Sequence, residues 1–74
     1  MNSNDQWVTV SSGRFTADLG RCWVLVEQVA HAFRVYVFRS GDGEGWSEEL
    51  LASASEADAA RAKATGERLA AGRL

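Results

Sequence analysis

The sequence predicts an α+β fold, a three- to four-stranded antiparallel β-meander with one C-terminal α-helix packed on one face. Three observations carry that expectation. Residues 23–30 and 33–39 are two runs of β-branched and aromatic side chains parted by a short break at His31 and Ala32, the pattern of a β-hairpin. Residues 15–19 alternate apolar Phe15, Ala17 and Leu19 with polar Thr16 and Asp18, as a strand with one solvated face does. An alanine-rich stretch then places small side chains at helical spacing. The 74 residues amount to one domain, with 1–6 expected to be disordered, 7–51 to form the sheet and 55–71 the helix.

In chain order, residues 7–10 read as a short edge strand closed by the turn formers Ser11, Ser12 and Gly13. The strand over 15–19 is closed by Gly20 and Arg21. In the central hairpin both faces are apolar: one side carries Trp23, Leu25 and Val29, the other Val24, Val26 and Ala30. The partner strand sets Phe33, Val35 and Val37 on one side and Tyr36 and Phe38 on the other. A pair apolar on both faces has to be covered twice. The glycine-rich run 41–45 reads as a turn, and residues 46–51 as a fourth strand.

The helix has its own start and stop signals. Ser55 is expected as N-cap, with Ser53 and Glu56 spelling an alternative capping box, Glu56 and Asp58 in the first turn, and Gly72 as the stop. At 100° per residue Ala59, Ala62, Gly66, Leu69 and Ala70 converge on one stripe, with Gly66 near its centre. Glycine there costs roughly 1 kcal/mol of helix propensity relative to alanine, so close approach to a bulky strand residue, Trp23 or Phe33, is its expected purpose. Ala57, Ala60, Ala64 and Ala71 form a second, nearly opposite stripe, read as exposed alanine chosen for helix propensity, with a helix contact to a second subunit as the alternative.

Composition narrows the function classes. Apolar content of 46% with a net charge of only -2 is that of a globular chain. The single Cys22 excludes a disulfide within the chain, and one Cys with one His31 falls short of a four-ligand structural zinc site. No cofactor is expected. A core this small supplies roughly 3–5 kcal/mol and is commonly helped by a second subunit. No run approaches the roughly 18 apolar residues of a membrane span, and the opening residues lack the basic, apolar and small-residue order of a signal peptide, so the expected location is the cytoplasm, with no membrane partner. Charge is uneven: residues 1–40 carry net +1, residues 41–58 net -6, and the remainder net +3. The six carboxylates of the middle segment read as a solvated belt.

No constellation of residues announces a reaction, and the expectation is that the chain is not an enzyme. Nucleophilic catalysis would need Cys22 or a serine beside His31 and an orienting acid, yet Cys22 opens an apolar strand while His31 falls in the hairpin break. The run from Asp42 to Gly45 lacks the spacing and the closing glutamate of a calcium loop. Glu48 and Glu49 are adjacent, so on a strand they point to opposite faces. No small-molecule substrate follows from any of these.

The doubly apolar hairpin does suggest a surface. Val24, Val26, Arg34, Tyr36 and Phe38 form the expected interaction face, used by a non-enzymatic accessory protein that pairs with itself as a homodimer, or with another protein. The alternative is nucleic-acid binding, with bases stacked on Tyr36 and Phe38 beside Arg34. Over residues 15–71 the meander-plus-helix order resembles the arm-type DNA-binding domains of integrases and the plant AP2 domains in architecture, which implies a sheet laid in the major groove. Those domains carry several basic residues on the reading strands, whereas this chain offers Arg14, Arg21, Arg34 and Arg39 with an acidic belt after them and a pI near 5.2. The succession of a Trp23-led strand, the Phe-Arg-Val-Tyr-Val-Phe run at 33–38 and the serine-preceded, alanine-rich stretch at 55–64 also resembles small uncharacterised proteins of phages and prophages. That likeness implies a mobile-element accessory role and brings no activity with it.

Overall fold

The structure is a computed structural model that describes residues 6–40 and 49–72. Among the described residues five strands, β1 (Trp7–Ser11), β2 (Arg14–Asp18), β3 (Cys22–Val29), β4 (Ala32–Arg39) and β5 (Leu50–Glu56), precede one helix, α1 (Ala59–Ala71). They form one antiparallel meander in chain order, each strand paired with its neighbours in sequence. The class is therefore α+β as expected, with five strands in place of three or four. Both the segment from Trp7 and the segment before the helix join the sheet. The expected fourth strand at 46–51 overlaps β5 only at Leu50 and Leu51. Positions 46–48, the glycine-rich turn at 41–45 and residues 1–5 lie outside the described residues.

The fold is organised by the β3–β4 hairpin, whose eight-residue strands pair over their full length from Cys22 opposite Arg39 to Val29 opposite Ala32. The connection is only Ala30 and His31, and Ala30 sits at φ 56, in the left-handed region where an L side chain is strained. The turn between β1 and β2 uses Gly13 at φ 75, with Gln28 donating its backbone N–H to the Gly13 carbonyl at 2.8 Å. The register slips once in β1, at Val10, and once in β5, at Leu51, which places a bulge in each edge strand.

Alternation along the strands sends Val24 and Val26 of β3, Val35 and Val37 of β4 and Ala17 of β2 to one face, all buried. The helix covers this face with Ala62, Thr65, Gly66 and Ala70, all small or short. The reason is steric. A β-carbon on Gly66 would lie 2.6 Å from Val24 Cγ1 and 3.2 Å from Val35 Cγ1, so the glycine lets the helix settle on the valines. This corrects the expectation that Trp23 or Phe33 fills the notch. Val35 and Val37 belong to the core, whereas Trp23 and Leu25 point to the opposite face.

The start of the helix also differs. Ser55 pairs with Arg34 as part of β5, and the N-cap is Asp58, extended at φ -142, whose carboxylate accepts from the Arg61 backbone N–H at 2.8 Å. An edge strand opposite β4 satisfies backbone groups that a longer helix would have left open, and Asp58 is as good a cap as serine. The stop at Gly72 is as expected, its N–H returning to the Arg68 carbonyl. Ala60, Ala64 and Ala71 are exposed on the helix and Ala57 just before it.

Candidate interaction face

The face of the sheet turned away from α1 is built by the residues that alternate with the core valines. Register sets them in rows across the strands. Arg14, Glu27, Arg34 and Ser55 make one row; Val8, Thr16, Leu25, Tyr36 and Ser53 the next; Asp18, Trp23, Phe38 and Leu50 the third. The first row is charged. The other two are mainly apolar at their centre, with Val8 at 59% and Leu50 at 51% exposure on the two edge strands.

The aromatic side chains order one another. Trp23 and Phe38 are cross-strand partners and stack with ring centroids 4.4 Å apart and planes 20° from parallel. Tyr36, two residues along β4, continues the array with its centroid 6.3 Å from that of Phe38. Stacking of this kind is worth about 0.5–1.5 kcal/mol beyond area burial and holds the rings as a fixed platform. The indole Nε1 of Trp23 is shut off from solvent and has no acceptor among the described residues. An orphaned buried donor costs about 1–3 kcal/mol, so the tight stack is kept against a polar cost.

Electrostatically the face is balanced, with two arginines, Arg14 and Arg34, against Asp18 and Glu27. Arg14 is committed to an ion pair with Glu27 on the neighbouring strand. Arg34 is exposed and makes no ion pair among the described residues. Elsewhere, the described members of the acidic belt act within the chain: Glu49 lies 3.3 Å from Arg39, Glu56 accepts from the Thr65 hydroxyl at 2.7 Å, and Asp58 caps the helix. Asp42, Glu44 and Glu48 lie outside the described residues.

Of the residues expected on the interaction face, Arg34, Tyr36 and Phe38 share this surface. Val24 and Val26 do not; both are fully buried under the helix, and Trp23 and Leu25 take their places. The signal that separates them was in the hairpin. A two-residue turn at Ala30 and His31 fixes Val29 opposite Ala32, and counting back from there puts Leu25 opposite Tyr36 and Trp23 opposite Phe38. Val8 and Leu50 join the face only through the edge strands, whose registers sequence spacing does not fix.

Other chemistry does not gather. Cys22 is buried at one end of β3 and His31 is exposed at the far end of the hairpin, and β3 alone spans roughly 25 Å at the usual strand rise. Among the described residues no three His, Cys, Asp or Glu side chains stand close enough to hold a metal ion, and no helix is long and apolar enough to cross a membrane. No family model matches the chain, and no curated protein or solved structure shows significant similarity to it.

Proposed function

We propose that this chain is a non-catalytic interaction module that pairs through the open face of its sheet, and that its partner is a second copy of itself. The observation that carries the reading is the stacked platform of Trp23 and Phe38, continued by Leu25 and Tyr36, on the one broad face that α1 leaves uncovered. Large apolar faces of this kind mark protein contacts. The balance of two arginines against two carboxylates suits a surface of the same composition better than a polyanion.

Stacking of nucleic-acid bases on Trp23, Tyr36 and Phe38 is the second reading, favoured by Arg34 beside them, which makes no ion pair among the described residues. It is weakened by the lack of net positive charge on the face, since phosphate attraction supplies most of such affinity.

Light scattering across a concentration series tests the first reading. The expected mass is twice the 8.0 kDa of one chain, falling to a single chain in the Tyr36→Ser, Phe38→Ser variant with secondary structure retained. A dimer that survives both substitutions would place the interface elsewhere. Rising salt separates the two readings, because an apolar dimer holds or tightens while a phosphate-driven complex weakens steeply.

A further inference from the structure

We infer that the two copies meet about a two-fold axis lying in the open face, parallel to the strands and midway between β3 and β4; the inference rests on the self-pairing reading above. It comes from the way the face sorts its residues into rows. An isologous contact sets each patch against its symmetry mate, so the position of the axis decides which rows meet.

An axis along the strands between β3 and β4 lays every row on its own counterpart. Trp23 comes over the partner's Phe38, Leu25 over the partner's Tyr36, and Glu27 over the partner's Arg34. The apolar centres of the rows then bury one another, while at the rim Asp18 falls over the partner's Leu50 and Thr16 over the partner's Ser53. The charged row meets itself with opposite signs facing, so Arg34, which has no ion pair of its own among the described residues, gains a carboxylate, and Glu27 stands between its own Arg14 and the partner's Arg34. Aligned packing of two twisted sheets, with strands within about 30° of each other, is also a common way for such faces to meet.

Two other in-plane axes do worse. Moved onto β3, the axis would oppose Glu27 to the partner's Glu27 and Arg14 to the partner's Arg34, like against like. Turned perpendicular to the strands along the Leu25 row, it would bring Arg14 to the partner's Asp18 and Arg34 over the partner's Phe38. It would also press Glu27 onto the negative face of the partner's Trp23 ring and strip charges of water over an apolar row.

Crosslinking distinguishes these arrangements. With sheets about 10 Å apart and strands about 4.8 Å apart, the two copies of position 27 or of position 34 lie about 11 Å from each other, and the two copies of position 53 about 18 Å. The perpendicular axis reverses the order, giving about 10 Å at position 53 and about 17 Å at position 27. Glu27→Cys, Arg34→Cys and Ser53→Cys are each treated with a bismaleimide of about 10 Å reach, matched to the sheet spacing; the unmodified chain, whose Cys22 is buried, is the control. Using both Glu27→Cys and Arg34→Cys guards against the loss of either charge. The expected result is a shift to doubled mass on a denaturing gel for positions 27 and 34 and none for position 53. A dimer by light scattering that is trapped at position 53, or at none of the three, overturns the axis and leaves self-pairing standing. A chain that stays single at every concentration overturns self-pairing and the axis with it.

Discussion

The indole N–H of Trp7 donates to the Glu67 carboxylate at 2.7 Å, joining the first strand to the helix across 60 positions of sequence. Lys63, one turn before Glu67, places its ammonium 5.8 Å from the centre of the Trp7 ring and 4.3 Å from that of Phe15. The helix is thereby tied to the β1–β2 side of the sheet by polar and cation–π contacts, whereas it lies on β3 and β4 through packing. Partly buried hydrogen bonds to a charged acceptor contribute about 1.5–3 kcal/mol. Trp7→Phe keeps the ring under Lys63 and removes only the donor, so it is expected to lower unfolding free energy by about 1–2 kcal/mol, the lower part of that range. Urea unfolding followed by circular dichroism measures it, and an unchanged midpoint would show that the bond contributes nothing.

Gly66 is the second point of attachment. Alanine is favoured over glycine in a helix by about 1 kcal/mol, so propensity alone predicts that Gly66→Ala stabilises. The added methyl group would meet Val24 Cγ1 at 2.6 Å, a fully buried atom on a rigid strand. Overpacking of this kind costs about 1–3 kcal/mol. The expected net result is loss of stability, partly recovered when Val24→Ala is added to Gly66→Ala, although Val24→Ala alone destabilises. The double-mutant cycle reads that coupling, and additive effects would mean that Gly66 and Val24 do not touch.

The hairpin turn stores strain that one substitution can relieve. Ala30 lies at φ 56, where an L residue is disfavoured by about 1–2 kcal/mol. Glycine removes that strain and adds about 0.4–1 kcal/mol of unfolded-state entropy to be lost on folding. Ala30→Gly is thus expected to raise stability by a few tenths to about 1 kcal/mol, the difference of the two effects, and thermal unfolding should show a small increase in Tm. A decrease would indicate that Ala30 relaxes out of the left-handed region.

Two candidate caps at the helix start are distinguished in the same way. Asp58→Ala should cost about 1 kcal/mol through loss of the 2.8 Å bond to the Arg61 N–H, while Ser55→Ala, on the open face of an edge strand, should be close to neutral. Equal effects at the two positions would place the start of the helix earlier than Asp58.

The contrast between those residues shows where sequence reasoning holds and where it stops. The central hairpin, the Ala62–Gly66–Ala70 stripe and the Gly72 stop were legible because β-branched runs, helical spacing and glycine each have a local physical cause. β5 was not, since Leu-Leu-Ala-Ser-Ala-Ser-Glu is poor in β-formers and carries two serines that suit a helix cap. Its pairing with β4 is a tertiary choice that overrides local preference. The candidate face was half legible. Periodicity grouped Tyr36 with Phe38, but which β3 residues join them depends on register and on which face the helix covers. The helix covers the valines because its small residues need an even bed, and Trp23 and Leu25 are left on the other side.

That division of β3 into two faces yields the last prediction. Neighbouring residues of one strand should respond to the same substitution in opposite ways. Val26→Glu puts a carboxylate into the fully buried cluster under α1, where an unpaired charge costs several kcal/mol, comparable to the whole stability of a domain this small. It should abolish the folded state. Leu25→Glu places the same charge on the open face opposite Tyr36, where water reaches it in a single chain. Folding should survive, with unfolding free energy reduced by no more than about 1–2 kcal/mol. Association should be lost, because a face-to-face pair would have to desolvate the carboxylate against an apolar row. Circular dichroism with light scattering on the two variants reads both outcomes. A folded Val26→Glu chain would put the helix on the wrong face, and a Leu25→Glu chain that keeps the mass of a dimer would remove the open face from the interface.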